Sequence, residues 1–146
     1  MSETPSVVFD TQIFLRALIN FKSACGRLVF ERQTDYFLYT TTRIDNEVLD
    51  VLSRPKVRSK FPQITDVSIR LVELVLNQAH RVEIKPEDIQ PICRDPKDDI
   101  FLACAKVAEA NYLVSEENDL LVLEQHQNTK IVDVAAFLAV LEQLPN

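Results

Sequence analysis

Four acidic residues stand where carboxylates can work together: Asp10, Glu47, Asp99 and Glu117. Asp10 closes the apolar run Val7-Val8-Phe9, Glu47 lies in a stretch with apolar residues at helical spacing, Asp99 opens the run Ile100 to Ala105, and Glu117 soon follows Tyr112-Leu113-Val114. Carboxylates drawn together at neutral pH either raise one another's pKa or recruit a cation. Hard oxygen ligands select Mg2+ or Mn2+, ions that lower the pKa of water and neutralise a phosphodiester during in-line displacement. Such chemistry needs no histidine, and the two present, His80 and His126, stand apart from these positions. Each acid also has an ordinary role open to it. Asp10 and Asp99 can cap helices, and Glu47 and Glu117 can be solvated surface charges. Spacing alone does not choose between the roles.

To bring these acids to one rim, the chain must supply strands that end together. Val7 to Phe9 reads as a strand and Thr11 to Ile19 as a helix, which puts Asp10 at their junction. A second helical stretch runs from Ser23 to about Gln33, a second strand from Phe37 to Tyr39, and a helix through Ile44, Val48, Val51 and Leu52 stops before Pro55. Val67 to Ala79 is the next helix, capped by Thr65 or Asp66, and Val82 to Ile84 the third strand. Pro86, Pro91 and Pro96 punctuate a loop that delivers Asp98 and Asp99 to a helix over Ile100 to Ala110. Tyr112 to Val114 is a fourth strand, Glu117 to Leu123 a short helical turn, Lys130 to Val132 a fifth strand, and Val134 to Leu144 a closing helix capped by Asp133. Strands alternating with helices predict an α/β fold, a three-layer α/β/α sandwich with a five-stranded, mainly parallel sheet. In such sheets the crevice lies at the carboxyl ends of the strands, where Asp10 and Glu117 fall.

Composition narrows the field. At 146 residues and 47% hydrophobic content, the chain 1–146 reads as one domain. Its apolar runs are far below the roughly 18 residues of a membrane span. The start Met1 to Ser6 is polar and contains Glu3, so no export signal is expected and a cytoplasmic location is. Cys25, Cys93 and Cys104 are odd in number and without paired spacing, against both a disulfide framework and a zinc site. Cys104 reads as a small core residue, while Cys93 beside Arg94 stands in a loop. The single glycine, Gly26, rules out glycine-rich phosphate loops. A net charge of −6 weighs against a nucleic-acid partner, unless the acids gather around cations that reverse the local sign.

The motifs, in order, resemble a known family. Val7-Val8-Phe9-Asp10-Thr11 is similar to the opening of PIN domains, an apolar strand ending in Asp-Thr or Asp-Ser and then Asn. Thr41 through Glu47 to Leu52 resembles their second block, a hydroxyl residue and then a helix whose glutamate precedes Val-Leu. Asp95-Pro96-Lys97-Asp98-Asp99-Ile100-Phe101-Leu102-Ala103 resembles the third, in which the acid before the apolar helix, here Asp99, is the metal ligand. Leu113-Val114-Ser115-Glu116-Glu117-Asn118-Asp119-Leu120-Leu121 resembles the fourth. The likeness runs from about Val7 to Leu138 and implies a Mg2+- or Mn2+-dependent endoribonuclease with Asp10, Glu47, Asp99 and Glu117 as catalytic acids. Asp10, Asp99 and Glu117 would hold the metal, with Thr11, Gln12, Ser115 and Asp119 in support. The resembling subgroup is that of toxins from bacterial toxin–antitoxin pairs, which implies RNA as substrate, a small antitoxin as partner, and a homodimer for which the apolar face around Leu71, Leu74 and Val75 is available.

Two departures stand out: Gln12 replaces the usual asparagine, and Glu117 the usual aspartate, with Glu116 beside it in place of a small residue. The fourth corner is therefore longer and more crowded, and Asp119 is near enough in sequence to take its place. The basic stretch Arg54, Lys56, Arg58 and Lys60 reads as a solvated loop or as a track for a phosphate backbone. The alternative to the nuclease is a PIN-like module that binds RNA or protein through a degraded metal site. A phosphatase of the haloacid-dehalogenase type ranks last, because Gln12 stands where its acid–base aspartate belongs.

Overall fold

The computed structural model describes residues 4–144, so Met1 to Glu3 of the polar start Met1 to Ser6, on which the expectation of no export signal rests, lie outside the described residues. The chain forms β1 (Ser6–Phe9), α1 (Thr11–Ile19), α2 (Ala24–Glu31), β2 (Phe37–Thr40), α3 (Thr42–Ser53), α4 (Pro55–Lys60), α5 (Asp66–Gln78) and β3 (His80–Arg81). It continues through α6 (Asp99–Ala108), β4 (Tyr112–Val114), α7 (Asn118–Leu121), β5 (Gln125–His126), β6 (Thr129–Val132) and α8 (Val134–Glu142). The strands lie in the order β3-β2-β1-β4-β6-β5. All neighbours are parallel except β5 and β6, which form an antiparallel pair. The α/β class and the helix-flanked, mainly parallel sheet agree with the expectation. The sheet has six strands, not five.

The differences have local causes. The third strand is His80–Arg81 and not Val82 to Ile84. Its partner β2 ends at Thr40, and after the Val82 amide donates to the Thr40 carbonyl (3.0 Å) no further backbone is available to pair with. The extra strand β5 reverses onto β6 through a turn in which Gln127 takes a φ of 54°, a conformation that polar residues adopt without announcing it in periodicity. Residues 55–60 form a helix and not a loop, because Pro55 sits at the first helical position, where its fixed φ suits the helix and its missing N–H costs nothing. Ser23 is the cap of α2, its hydroxyl accepting from the Gly26 amide at 3.1 Å, so that helix starts one residue later than expected and ends at Glu31. Gly26 has to be glycine: a Cβ there would lie 2.2 Å from the Phe21 carbonyl oxygen.

The core follows from the apolar strands. Val7, Val8, Phe9, Leu113 and Val114 are fully buried, and α6 is buried on every side from Ile100 to Ala105 as it packs against β1, β2 and β4. An aromatic chain of edge-on and tilted contacts runs from Phe14 through Phe9 and Tyr36 to Phe137 and Tyr112, fastening α1 and α8 to the sheet. The Tyr36 hydroxyl donates to the Leu28 carbonyl (2.8 Å) and so pins α2 to the same face. On α5, Val67, Leu71 and Leu74 are exposed, whereas Val75 is half-buried. No helix among the described residues is long and apolar enough to cross a membrane.

Candidate active site

Parallel register builds the centre of the site. Phe9 of β1 is level with Val114 of β4, so the next residues, Asp10 and Ser115, leave the sheet side by side at its carboxyl edge. The Asp10 amide donates to the Val114 carbonyl (3.1 Å) and the Ser115 amide to that of Val132 (3.0 Å), which holds both at the strand ends. The Asp10 carboxylate then has two partners. One oxygen accepts the Ile13 amide at 3.3 Å, capping α1, and the other accepts a short hydrogen bond from the Ser115 hydroxyl. Ser115 in turn accepts the Glu117 amide (2.9 Å), which fixes the backbone that carries Glu117 into the same cleft. Capping and site-building are thus carried out by one aspartate.

Across the cleft, Glu47 projects from α3 and accepts a hydrogen bond from the Thr11 hydroxyl (3.1 Å), which ties α3 to the start of α1. The lining is completed by Gln12, Val51, Arg54, Phe101, Asp95, Lys97, Asp98 and Asp119, around a volume of about 220 Å3. Six carboxylates therefore face one small space. Burial pushes the Asp10 carboxyl up from 3.8 to about 7; the bonds from Ser115 and Ile13 pull it down, and the charges of Glu117 and Asp98 push it up again. Asp98 rises to about 6, through burial and then through the charges of Asp95, Glu117, Asp119 and Glu47.

Of the sequence-predicted residues, Asp10, Thr11, Gln12, Glu47, Glu117 and Asp119 line this cleft, with Ser115 behind Asp10. Asp99 does not. It is buried, and one carboxylate oxygen accepts the amides of Ile92 (3.2 Å) and Cys93 (2.7 Å), stapling the long loop onto α6. Its neighbour Asp98, in a 3-10 turn over Pro96–Asp98, faces the acids instead. Asp95 and Lys97 also line the cleft and were missed; Asp95 shapes the turn by accepting the Lys97 amide (3.0 Å). The Asp-Pro pair before Asp98 was the available signal, since it marks a turn and not a helix start.

The basic stretch is divided by the helix it forms. Arg54 lines the cleft while its guanidinium is held by Asp50 at 2.8 Å and 3.1 Å. Arg58 is turned to Asp66 (2.8 Å), and Lys56 is exposed away from the cleft lining. Cys25 and Cys104 are buried, and Cys93 is half-buried with its thiol pushed up to about 12, chiefly by burial and then by its hydrogen bond to Asp99. His80 lies between Phe37 and Tyr39 on the sheet edge, and His126 on β5, so neither reaches the acids.

The oxygen-only donor set suits a hard divalent cation, and the raised carboxyls of Asp10 and Asp98 are what such a cation would lower again. Among the described residues, no three acidic, histidine or cysteine side chains are drawn close enough to enclose one ion. The donors are chemically right and stand apart.

An acid-rimmed crevice at the carboxyl edge of a parallel sheet coincides with a family match over residues 6–119, to the model described as PIN domain. The chain belongs to the PIN domain family. PIN domains are in general nucleases that use divalent metal ions. No curated protein sequence matches the chain. Among solved structures it is similar to PAE2754 from Pyrobaculum aerophilum, known from a crystal structure, at 16% identity over 94% of this chain and 97% of that one, with a TM-score of 0.55. At that identity the likeness concerns the PIN fold.

Proposed function

We propose that this PIN domain is a metal-dependent endoribonuclease, acting as the toxin of a toxin–antitoxin pair. The observation that carries the reading is the convergence of Asp10, Glu47, Asp98 and Glu117 on one cleft at the strand ends. Asp10, Asp98 and Glu117, with Asp119 at the margin, would hold Mg2+ or Mn2+, whose chemistry there is to neutralise phosphodiester charge and to make water acidic enough to attack. Ser115 orients Asp10 and sets the backbone of Glu117 through one hydroxyl. Thr11 orients Glu47, and Lys97 places positive charge at the rim, where a phosphate backbone would enter, while Arg54 beside it is paired with Asp50. Asp98 takes the role that the motif comparison gives to Asp99. The toxin role rests on the sequence resemblance, and growth tests it: expression of the chain should arrest a bacterial host and Asp10→Asn should relieve the arrest, whereas unimpaired growth refutes the toxin.

Cleavage of a labelled RNA pool with Mn2+ tests the nuclease. Activity lost in Asp10→Asn and Asp98→Asn and kept in Asp99→Asn supports it; no cleavage by wild type, or cleavage kept in Asp10→Asn, refutes it, and equal activity in Asp98→Asn and wild type refutes the role given to Asp98. The separation of the carboxylates favours a second reading, a PIN module that binds RNA without cutting. Calorimetric titration with Mn2+ separates the two, since the module binds none at millimolar metal.

A further inference from the structure

Beside the acidic cleft lies a second groove, of about 600 Å3, bounded by α1, the end of α4, the start of α2 and the segment at Glu116. Gln12 lines both spaces, so the two adjoin at that side chain. From there α1 carries Arg16 four residues on, about 6 Å along the axis, and Asn20 follows at its C-terminal cap. Lys60 and Phe61 form the opposite wall, and Lys60 Nζ stands 5.4 Å over the Phe61 ring. Arg16 and Lys60 are exposed and, among the described residues, have no ion-pair partner, unlike Arg32, Arg54, Arg58, Arg70, Arg81 and Arg94. Two free cations, an aromatic ring and short polar side chains leading out of an acid site describe a path for a single-stranded polyanion with bases. Glu116, at the junction, is the one carboxylate in the groove lining.

Resting on the nuclease reading above, we propose that this groove is the binding subsite for the single-stranded RNA next to the cleaved phosphodiester. Arg16 and Lys60 hold its phosphates and Phe61 stacks a base. The larger cavity, of about 890 Å3, is the poorer candidate, for it shares no lining residue with the cleft and its Arg81 is already paired with Asp45 at 2.6 Å. Along α4 the basic stretch is divided between the two spaces, Arg54 at its cap lining the cleft and Lys60 at its end lining the groove.

The test compares wild type with the double variant Arg16→Gln, Lys60→Gln, both positions being exposed and outside the acidic cleft. Binding of a fluorescent single-stranded RNA is followed by anisotropy with Ca2+ present, and cleavage with Mn2+. The variant is expected to bind about tenfold more weakly, with a salt dependence shallower by about 1.4, near 0.7 for each lost phosphate contact. Its KM for cleavage rises by the same factor at unchanged kcat, and RNA carrying 5-iodouridine crosslinks to Phe61 of the wild type. Equal affinity, salt slope and KM in the two proteins overturn the subsite and leave the nuclease intact; a peptide as the true occupant of the groove gives this result. Binding that weakens as expected without any cleavage by wild type keeps the subsite and refutes the nuclease, and wild type that binds no RNA refutes both.

Discussion

Replacing Asp10 by asparagine should make the metal-free protein more stable at pH 8, although it removes a carboxylate at the centre of the site. Asp10 is 1% exposed, and its carboxyl sits at about 7 against an ordinary 3.8. Between these values the folded chain keeps a proton that the unfolded chain has lost, so every pH unit gained there removes about 1.4 kcal/mol of stability. By pH 8 the whole difference, roughly 4 kcal/mol, has been lost by the wild type. Asparagine keeps an oxygen for the Ile13 amide and offers its NH2 to Ser115, at a cost of about 1 kcal/mol for the exchanged hydrogen bond. A net gain of roughly 3 kcal/mol raises Tm by about 10 °C for a chain of this size. Calorimetry in EDTA from pH 4 to 8.5 should show the two proteins alike near pH 4, the gap opening toward pH 7 and level above it. Millimolar Mn2+ should then raise the wild-type Tm and leave the variant's unchanged, because a ligand stabilises only the state that binds it. A variant that melts below wild type at pH 8, or a gap independent of pH, refutes the account of Asp10 as a desolvated and crowded acid.

Asp99→Ala should lower stability by about 2 kcal/mol, since the Ile92 and Cys93 amides lose a charged acceptor, while specific activity of the folded fraction stays near wild type; Asp98→Ala should show the reverse, in chemical denaturation and RNA cleavage assays. Gly26→Ala should cost about 3 kcal/mol or more, because its Cβ meets backbone and not a yielding side chain, and urea titration reads that directly. Cys93, with its thiol at about 12, should be alkylated by iodoacetamide at pH 8 far more slowly than a free thiol, and mass spectrometry of a timed reaction measures the rate.

The strand-end logic read the sheet well wherever an apolar run passed directly into a polar residue. Asp10 and Glu117 were placed correctly because a parallel strand delivers the residue after its last apolar position to the carboxyl edge. Asp98 and Asp99 resisted the same reading for a physical reason. Amphipathic periodicity tells which of two neighbours faces inward, and the run Ile100 to Ala105 that follows them has none, being buried all round. The choice is made instead by the 3-10 turn, which leaves Asp98 on the cleft side and turns Asp99 under the loop that it staples. The basic stretch failed in a similar way. Its alternating charges look like a single track along an extended chain, but a helix winds them to different sides, and of Arg54, Lys56, Arg58 and Lys60 only Arg54 lines the cleft.

Net charge posed the main objection to a nucleic-acid substrate, and the arrangement of charge answers it in two parts. Six of the 22 acids share about 220 Å3, a density that repels phosphate until a divalent ion reverses the local sign. Cations stand at the margin of that space: Lys97 in the cleft lining, and Arg16 and Lys60 along the adjoining groove. An RNA strand would therefore be drawn to the margins by fixed charge and admitted to the centre by the ion. If the chain binds RNA in the proposed way, affinity should depend on salt through the margins and on the divalent ion through the centre, so that Arg16→Gln with Lys60→Gln should flatten the first dependence and Asp10→Asn abolish the second in anisotropy titrations.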